Sequence, residues 1–285
     1  MKTKPSLDPT ALSKWIGNSE QREDVIQLQP ANFMLATLDR EPALKIGDQL
    51  PMGWHWLFFL EARPMSELGR DGHPAVGGFL PPVALPRRMW AGSRLKFHHP
   101  VRIGDAVKRV STIKDLKIKS GKSGKLCFVT VAHQFFNGQL QLINEEHDIV
   151  YREDPVANAP QVTPPTAELE ADVKRTVTPS PVLLYRYSAL TFNGHRIHYD
   201  IDYCRDVEGY PDLVFHGPLN ATMLLDLAAE VAGANTIRAF EFRAISPLFA
   251  DRPFTINLNK TDQGFELWST NPEGFLATRA SVTVG

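Results

Sequence analysis

LNATMLLDLAAEV at 219–231, followed by FEFRAISPLFADRPF at 240–254, FELWST at 265–270 and FLATRASVTV at 275–284, is the stretch on which the fold turns. Leu219, Met223, Leu224, Leu227, Ala228 and Val231 recur at spacings of four, one, three, one and three, which is one face of an amphipathic helix. Behind it FTINLNK, the turn TDQG and FELWST read as a hairpin, with FLATRASVTV as a closing strand. A single long helix followed by antiparallel strands buries its apolar face by letting the sheet wrap around it.

The same order of elements runs once before. The apolar segment from Met52 to Leu60 carries on to Met65 and Leu68 as a candidate helix, and SRLKFHHPVRIGDAV at 93–107 is the next extended segment. LCFVTVAHQFF, Asn137-Gly138 and QLQLINEEHDIVYR then form a hairpin, the Asn-Gly pair supplying the positive φ of a two-residue turn. Both extended segments carry a proline, Pro100 or Pro247, ahead of a turn containing Asp105 or Asp251. The repeat predicts an α+β chain, a double hot-dog in which two sheets lie edge to edge and each wraps its own helix. A proline-rich stretch without apolar periodicity separates the copies, predicting a first domain at 1–153, a linker at 154–173 and a second domain at 174–285.

Lys and Arg number 31 against 32 for Asp and Glu, so no global field draws a polyanion and nucleic acid is not expected as a partner. Cys127 and Cys204 fit no disulfide framework and no zinc spacing. WHWLFFL at 54–60 is interrupted by His55 and closes at Glu61, far short of the ~20 residues of a membrane span. MKTKPSLDPTAL is followed by no apolar stretch of signal-peptide length, so a soluble cytoplasmic protein is expected.

YSALTFNGHRIHYDIDYCRDVEGYPDLVFHGPL, from Tyr187 to Leu219, gathers Asn193, His195, Arg196, His198, Tyr199, Asp200, Asp202 and His216 just ahead of the amphipathic helix. A helix starting at Gly217 or Pro218 aims unpaired amides at whatever lies in front of it, the geometry that holds a developing oxyanion. Taken singly, Asn193-Gly194 is an ordinary turn dipeptide, and Asp200 and Asp202 suit a solvated face. His195 and His198 stand three apart, but no third ligand is placed near them in sequence, so no metal is expected. SGKSGK at 120–125 lacks the leading glycine of a phosphate loop, since that position is Leu116, and reads as a basic hairpin tip.

The run S-A-L-T-F-N-G-H-R-I-H-Y-D, with H-G-P-L some twenty residues on, resembles the MaoC-like hydratase and dehydratase family. Within it the resemblance points to the double hot-dog branch that hydrates branched C5 dicarboxylic enoyl-CoA thioesters, itaconyl-CoA or mesaconyl-C4-CoA, to citramalyl-CoA-type products. RRMWAGSRLKFHHPVRIGD at 87–105 and SGKSGKLCFVTV at 120–131 look like the family's non-catalytic partner domain.

The resemblance implies a hydro-lyase without a cofactor, coenzyme A being part of the substrate, and a homodimer as a possible assembly. The family motif Asp-x-Asn-Pro-x-His places its His on His198 and its Asp on Asn193, and the oxyanion glycine on Gly217. His195 and Arg196 stand at the Asn and Pro positions. An amide cannot take a proton, so Asn193 can only orient water, and His198 is left to move protons, with His195 or Asp200 open as a second group. His195, Arg196, Tyr199 and Arg243 are candidates for binding the substrate, with Arg196 or Arg243 meeting a free carboxylate at its acyl end. Arg87 and Arg88, with Lys117, Lys119, Lys122 and Lys125, are candidates for the coenzyme A phosphates. Straight-chain (R)-3-hydroxyacyl dehydration, thioester hydrolysis and acyl-thioester binding without turnover are the competing functions.

Overall fold

A computed structural model describes residues 5–121, 124–154, 163–167 and 170–285. Half of the stretch read as a linker, residues 155–162 and 168–169, lies outside the described residues, as does Lys122.

Among the described residues, ten strands form one continuous antiparallel sheet. In chain order they are β1 (Ser19–Val25), β2 (Arg87–Phe97), β3 (Ala106–Gly121), β4 (Gly124–Asn137), β5 (Leu140–Arg152), β6 (Val173–Val177), β7 (Ile237–Ala244), β8 (Phe254–Thr261), β9 (Gly264–Thr270) and β10 (Leu276–Val284). The spatial order is β1-β3-β4-β5-β2-β7-β10-β9-β8-β6, so each half runs through the same five-strand arrangement and the halves join edge to edge at β2 and β7. At that seam Gly92 pairs with Arg243, and a side chain on Gly92 would meet the Phe242 carbonyl oxygen at 2.3 Å, so only glycine lets the strands close. Joining the sheets covers one open edge of each. This is the α+β double hot-dog that the two repeats predict.

The helices that matter are α1 (Leu28–Thr37), α2 (Pro181–Leu190) and α3 (Gly217–Ala232). α3 is the helix anticipated from the apolar spacing: Leu219, Leu224, Leu227 and Ala228 are fully buried against β7 to β10. Its core is shared, because Ile26, Trp54, Leu57, Val107 and Phe135 of the first half belong to the same apolar cluster as Leu224 and Leu225.

The expected first-half helix does not form. Residues 52–68 fold as two 3-10 turns, Trp54–Leu57 and Met65–Glu67. Gly53 is left-handed at φ 81°, Phe58 is extended, Phe59 is left-handed at φ 59°, and Pro64 interrupts the chain just before Met65. The apolar residues Trp54, Leu57, Phe58 and Phe59 are buried as expected, but on a turn. That turn is anchored by Glu145, which accepts from His55, Trp56 and Ser93, while Trp54 reaches Asp226 of α3 at 3.3 Å. Trp56, Phe59, Glu61, Arg63 and Glu67 of this segment line a cavity. No helix among the described residues is long and apolar enough to cross a membrane.

Candidate active site

α2 begins with Ser180, whose hydroxyl accepts from the Leu183 amide, and ends at Thr191, after which Phe192 adopts φ 48°. A left-handed residue just past a helix end is usually glycine; a phenylalanine there costs roughly 1 kcal/mol and is held by its surroundings. The reversal sends Asn193 back, its amide donating to Ser188 O at 2.8 Å. The Asn193 Oδ1 accepts the His195 amide at 3.0 Å, leaving its Nδ2 for the cavity that it lines.

His198 sits on a 3-10 turn, Arg196–His198, only 6 % exposed. Its Nδ1 lies 2.7 Å from the Val214 carbonyl, and since a carbonyl only accepts, Nδ1 carries the hydrogen and Nε2 the lone pair. Nε2 has no protein partner among the described residues and is not sealed from solvent. Burial holds the His198 pKa down to about 4, against the pull of the Val214 bond, so the ring is neutral near pH 7. It stacks on His216 at 3.6 Å between ring centroids, and His216 is the cap residue of α3. His198 is thereby packed against the residue that precedes Gly217, whose amide, in the first turn of α3, has no carbonyl of its own helix to meet.

A second imidazole comes from the other half. His73 Nδ1 donates to Asp71 Oδ2 at 2.9 Å, and the His73 ring packs on His195 at 4.1 Å, which in turn meets His198 edge-on at 5.4 Å. With Tyr187 beside His216, five rings form a continuous arc whose two ends, His73 and Tyr187, line the cavity. The contact between halves is made by backbone. Gly72, at φ 88°, packs so closely on Gly194 that an added side chain would lie 2.0 Å from its carbonyl oxygen, and the Arg196 amide donates to Asp71 O at 2.9 Å. Burial, above all, lowers the proton affinity of His73 and of His195, the latter to about 2. Burial pushes the Asp71 carboxyl up, but the His73 bond and charge outweigh it and hold the group well below the ordinary range.

Asp71, His73 and His195 offer ligand-type atoms within 4.8 Å of one another, a grouping that includes His195 but not His198 and takes its other two members from the first half. One Asp71 oxygen is already bonded to the His73 ring and the other to the His73 amide. The trio therefore reads as a carboxylate orienting an imidazole.

The cavity has a volume of about 550 Å³ and is lined by Asn193 and Pro218 of the second half and by His73, Arg88, Trp90, Arg109, His133 and His147 of the first, while His195, His198 and Gly217 are not among its lining residues. The other residues expected at the substrate are distributed differently. Arg196 forms an ion pair with Asp200 at 2.7 Å and lies over the Tyr203 ring, so it ties down its own loop. Tyr199 is exposed and donates to Gly194 O at 3.1 Å, closing that loop. Arg243 is exposed on β7 at the seam and does not line the cavity. Arg87 is buried in an ion pair with Glu208 and a 2.8 Å bond to the Tyr210 hydroxyl, which removes it from any surface phosphate. Of these arginines, only Arg88 lines the cavity.

Residues 53–250 match the family described as hydroxyacyl-thioester dehydratase type 2. The chain belongs to that family. It is 46% identical to the mesaconyl-C(4)-CoA hydratase of Chloroflexus aurantiacus over 273 residues, 95% of this chain and 97% of the relative. Among solved structures it resembles a MaoC-like dehydratase from Phytophthora capsici, with a TM-score of 0.72 at 10% identity, covering 98% of this chain and 99% of that one. A Mycobacterium tuberculosis protein described as having a double hot-dog fold superposes with a TM-score of 0.52 at 13% identity, covering 95% and 96% of the two chains. For this type 2 dehydratase-family chain the region 187–219 thus carries the histidine arc, while the loop at 69–75 was not anticipated. Its only local signal is Asp-Gly-His-Pro at 71–74 inside a glycine-rich stretch.

Proposed function

We propose that the chain hydrates the conjugated double bond of an enoyl-CoA that carries a second carboxylate, a C5 substrate of the mesaconyl-C4-CoA kind. The observation that carries this reading is His198: its Nδ1 is fixed by Val214, its Nε2 has no protein partner among the described residues, and it stacks on His216, the cap of α3.

In this reading the Asn193 Nδ2 orients a water, and His198 Nε2 takes its proton as the oxygen bonds to the β-carbon. Electron density moves onto the thioester oxygen, where the Gly217 amide stabilises it; one such donor is typically worth ~3 to 4 kcal/mol. The proton then returns from His198 to the α-carbon, so that H and OH have added across the double bond. Asn193 does not titrate, and His73, oriented by Asp71, is the second group able to relay a proton at the same end of the cavity. No metal and no cofactor enters the scheme. Coenzyme A arrives as part of the substrate.

Mixing the protein with mesaconyl-C4-CoA is expected to abolish the ultraviolet absorbance of the conjugated thioester without releasing free thiol. Unchanged absorbance sinks the reading, and thiol release makes the chain a thioesterase.

The pH dependence stems from the His198 shift. The base must be neutral, and its pKa is lowered, so activity is retained above about pH 4 and lost as pH falls through that value. The acid limb of kcat/KM for hydration is expected near 4. An inflection at an ordinary histidine value of about 6.5 would assign the proton transfer to a group less buried than His198.

A further inference from the structure

Four guanidinium groups line the cavity, those of Arg22, Arg63, Arg88 and Arg109. Three of them have carboxylate neighbours. Arg22 meets Glu20 at 3.1 Å and Glu61 at 3.4 Å. Arg63 meets Glu61 and, at 3.4 Å, Glu67. Arg109 lies over the Phe59 ring and has Glu20 at 3.8 Å. Arg88 is the exception among the described residues: its hydrogen bond is to the Pro74 carbonyl at 3.4 Å, it stands in register with Tyr151, and no carboxylate lies within ion-pair distance. Half-buried cations without an anionic partner are uncommon, because desolvation is then uncompensated.

Position separates Arg88 further from the other three. Pro74 follows His73, so the guanidinium rests on the very loop that delivers His73 to the arc. Burial is the main reason that His73, His195 and His147 hold protons weakly, and the Arg88 charge adds to the effect at all three. The paired arginines instead share their part of the wall with Glu20, Glu61 and Glu67, which would repel a second anion.

We infer that Arg88 anchors the free carboxylate of the acyl group and so sets the preference for dicarboxylic over monocarboxylic enoyl thioesters. This rests on the hydratase reading above. The geometry required is restrictive. In a mesaconyl-type thioester the carboxylate is bonded to the carbon that water attacks, so a guanidinium nitrogen bonded to it lies only ~5 Å from that carbon. The anchor must therefore border the histidine arc, and Arg88 is bonded to the Pro74 carbonyl next to His73, at the end of that arc which lines the cavity. A planar guanidinium can take both oxygens of a carboxylate, which fixes the orientation of the double bond as well as its place. An ammonium at the same position would supply the charge without that alignment.

The test compares kcat/KM for mesaconyl-C4-CoA and for crotonyl-CoA, which lacks the carboxylate, in the full-length protein and in Arg88→Gln and Arg88→Lys. The dicarboxylic-to-crotonyl ratio is expected to fall about 100-fold in Arg88→Gln and to recover in part in Arg88→Lys. Both substrates are measured on one preparation, so any loss of folded protein cancels in the ratio. A ratio unchanged in Arg88→Gln while the unmodified protein prefers the dicarboxylic substrate overturns the anchor and leaves the hydratase reading standing. A protein that turns over crotonyl-CoA as well as mesaconyl-C4-CoA overturns the dicarboxylic preference itself, and the anchor with it.

Discussion

His198→Ala is expected to lower the hydration rate by ~10² to 10⁴-fold, the range over which a positioned proton-transfer group typically acts. The side chain is held by one strong hydrogen bond and one stacked ring, and its removal leaves the Val214 carbonyl and the His216 face without their partner. Some loss of stability accompanies the change, so the comparison belongs with kcat of protein shown to be folded by its melting transition. His198→Gln keeps a polar group at the site but cannot titrate, and is expected to be nearly as inactive. Activity within a few-fold of the parent in both variants would remove His198 from the chemistry.

Gly72→Ala is expected to lower kcat by about 100-fold or more, although residue 72 belongs to the half that carries neither Asn193 nor His198. A methyl group at this position would stand 2.0 Å from the Gly194 carbonyl oxygen and 2.9 Å from its carbon, and both atoms are backbone. The loops at 71–73 and 193–196 must then separate, taking His73 from His195 and breaking the bond from the Arg196 amide to Asp71 O. Displacements near 1 Å in a reacting constellation are enough for losses of this size. Gly17→Ala is the control. Gly17 has a similar φ of 91° with nothing within 4 Å of the added carbon, so it incurs the left-handed penalty of roughly 1 to 2 kcal/mol without moving the loops. Equal kcat in the two variants would mean that the loop contact has no part in turnover.

Much of the fold and site was legible where the signals are local. The periodicity from Leu219 to Val231, the Asn-Gly turn at 137–138 and the cluster from Asn193 to Gly217 each depend on residues close in sequence. The first-half helix was misjudged because apolar content from Met52 to Leu60 outweighed Gly53 and Pro64, and a buried turn satisfies the same apolar residues as a helix does. The loop bearing His73 could not be found that way. It reaches the arc through contact between two glycines more than 120 residues apart, and such a contact leaves no side-chain pattern to read. Arg196 and Arg243 were matched to an anion by residue type alone. The fold gives the first a neighbouring carboxylate and turns the second to solvent, leaving Arg88 on the cavity wall.

The missing helix of the first half also bears on why two units share a polypeptide. In a symmetric pair of identical subunits, any change that unwinds the helix of one copy unwinds it in both. Covalent fusion lifts that constraint: one repeat is free to replace its helix with a buried turn while its sister keeps α3, and both give imidazoles to one arc, His73 from the first and His195, His198 and His216 from the second.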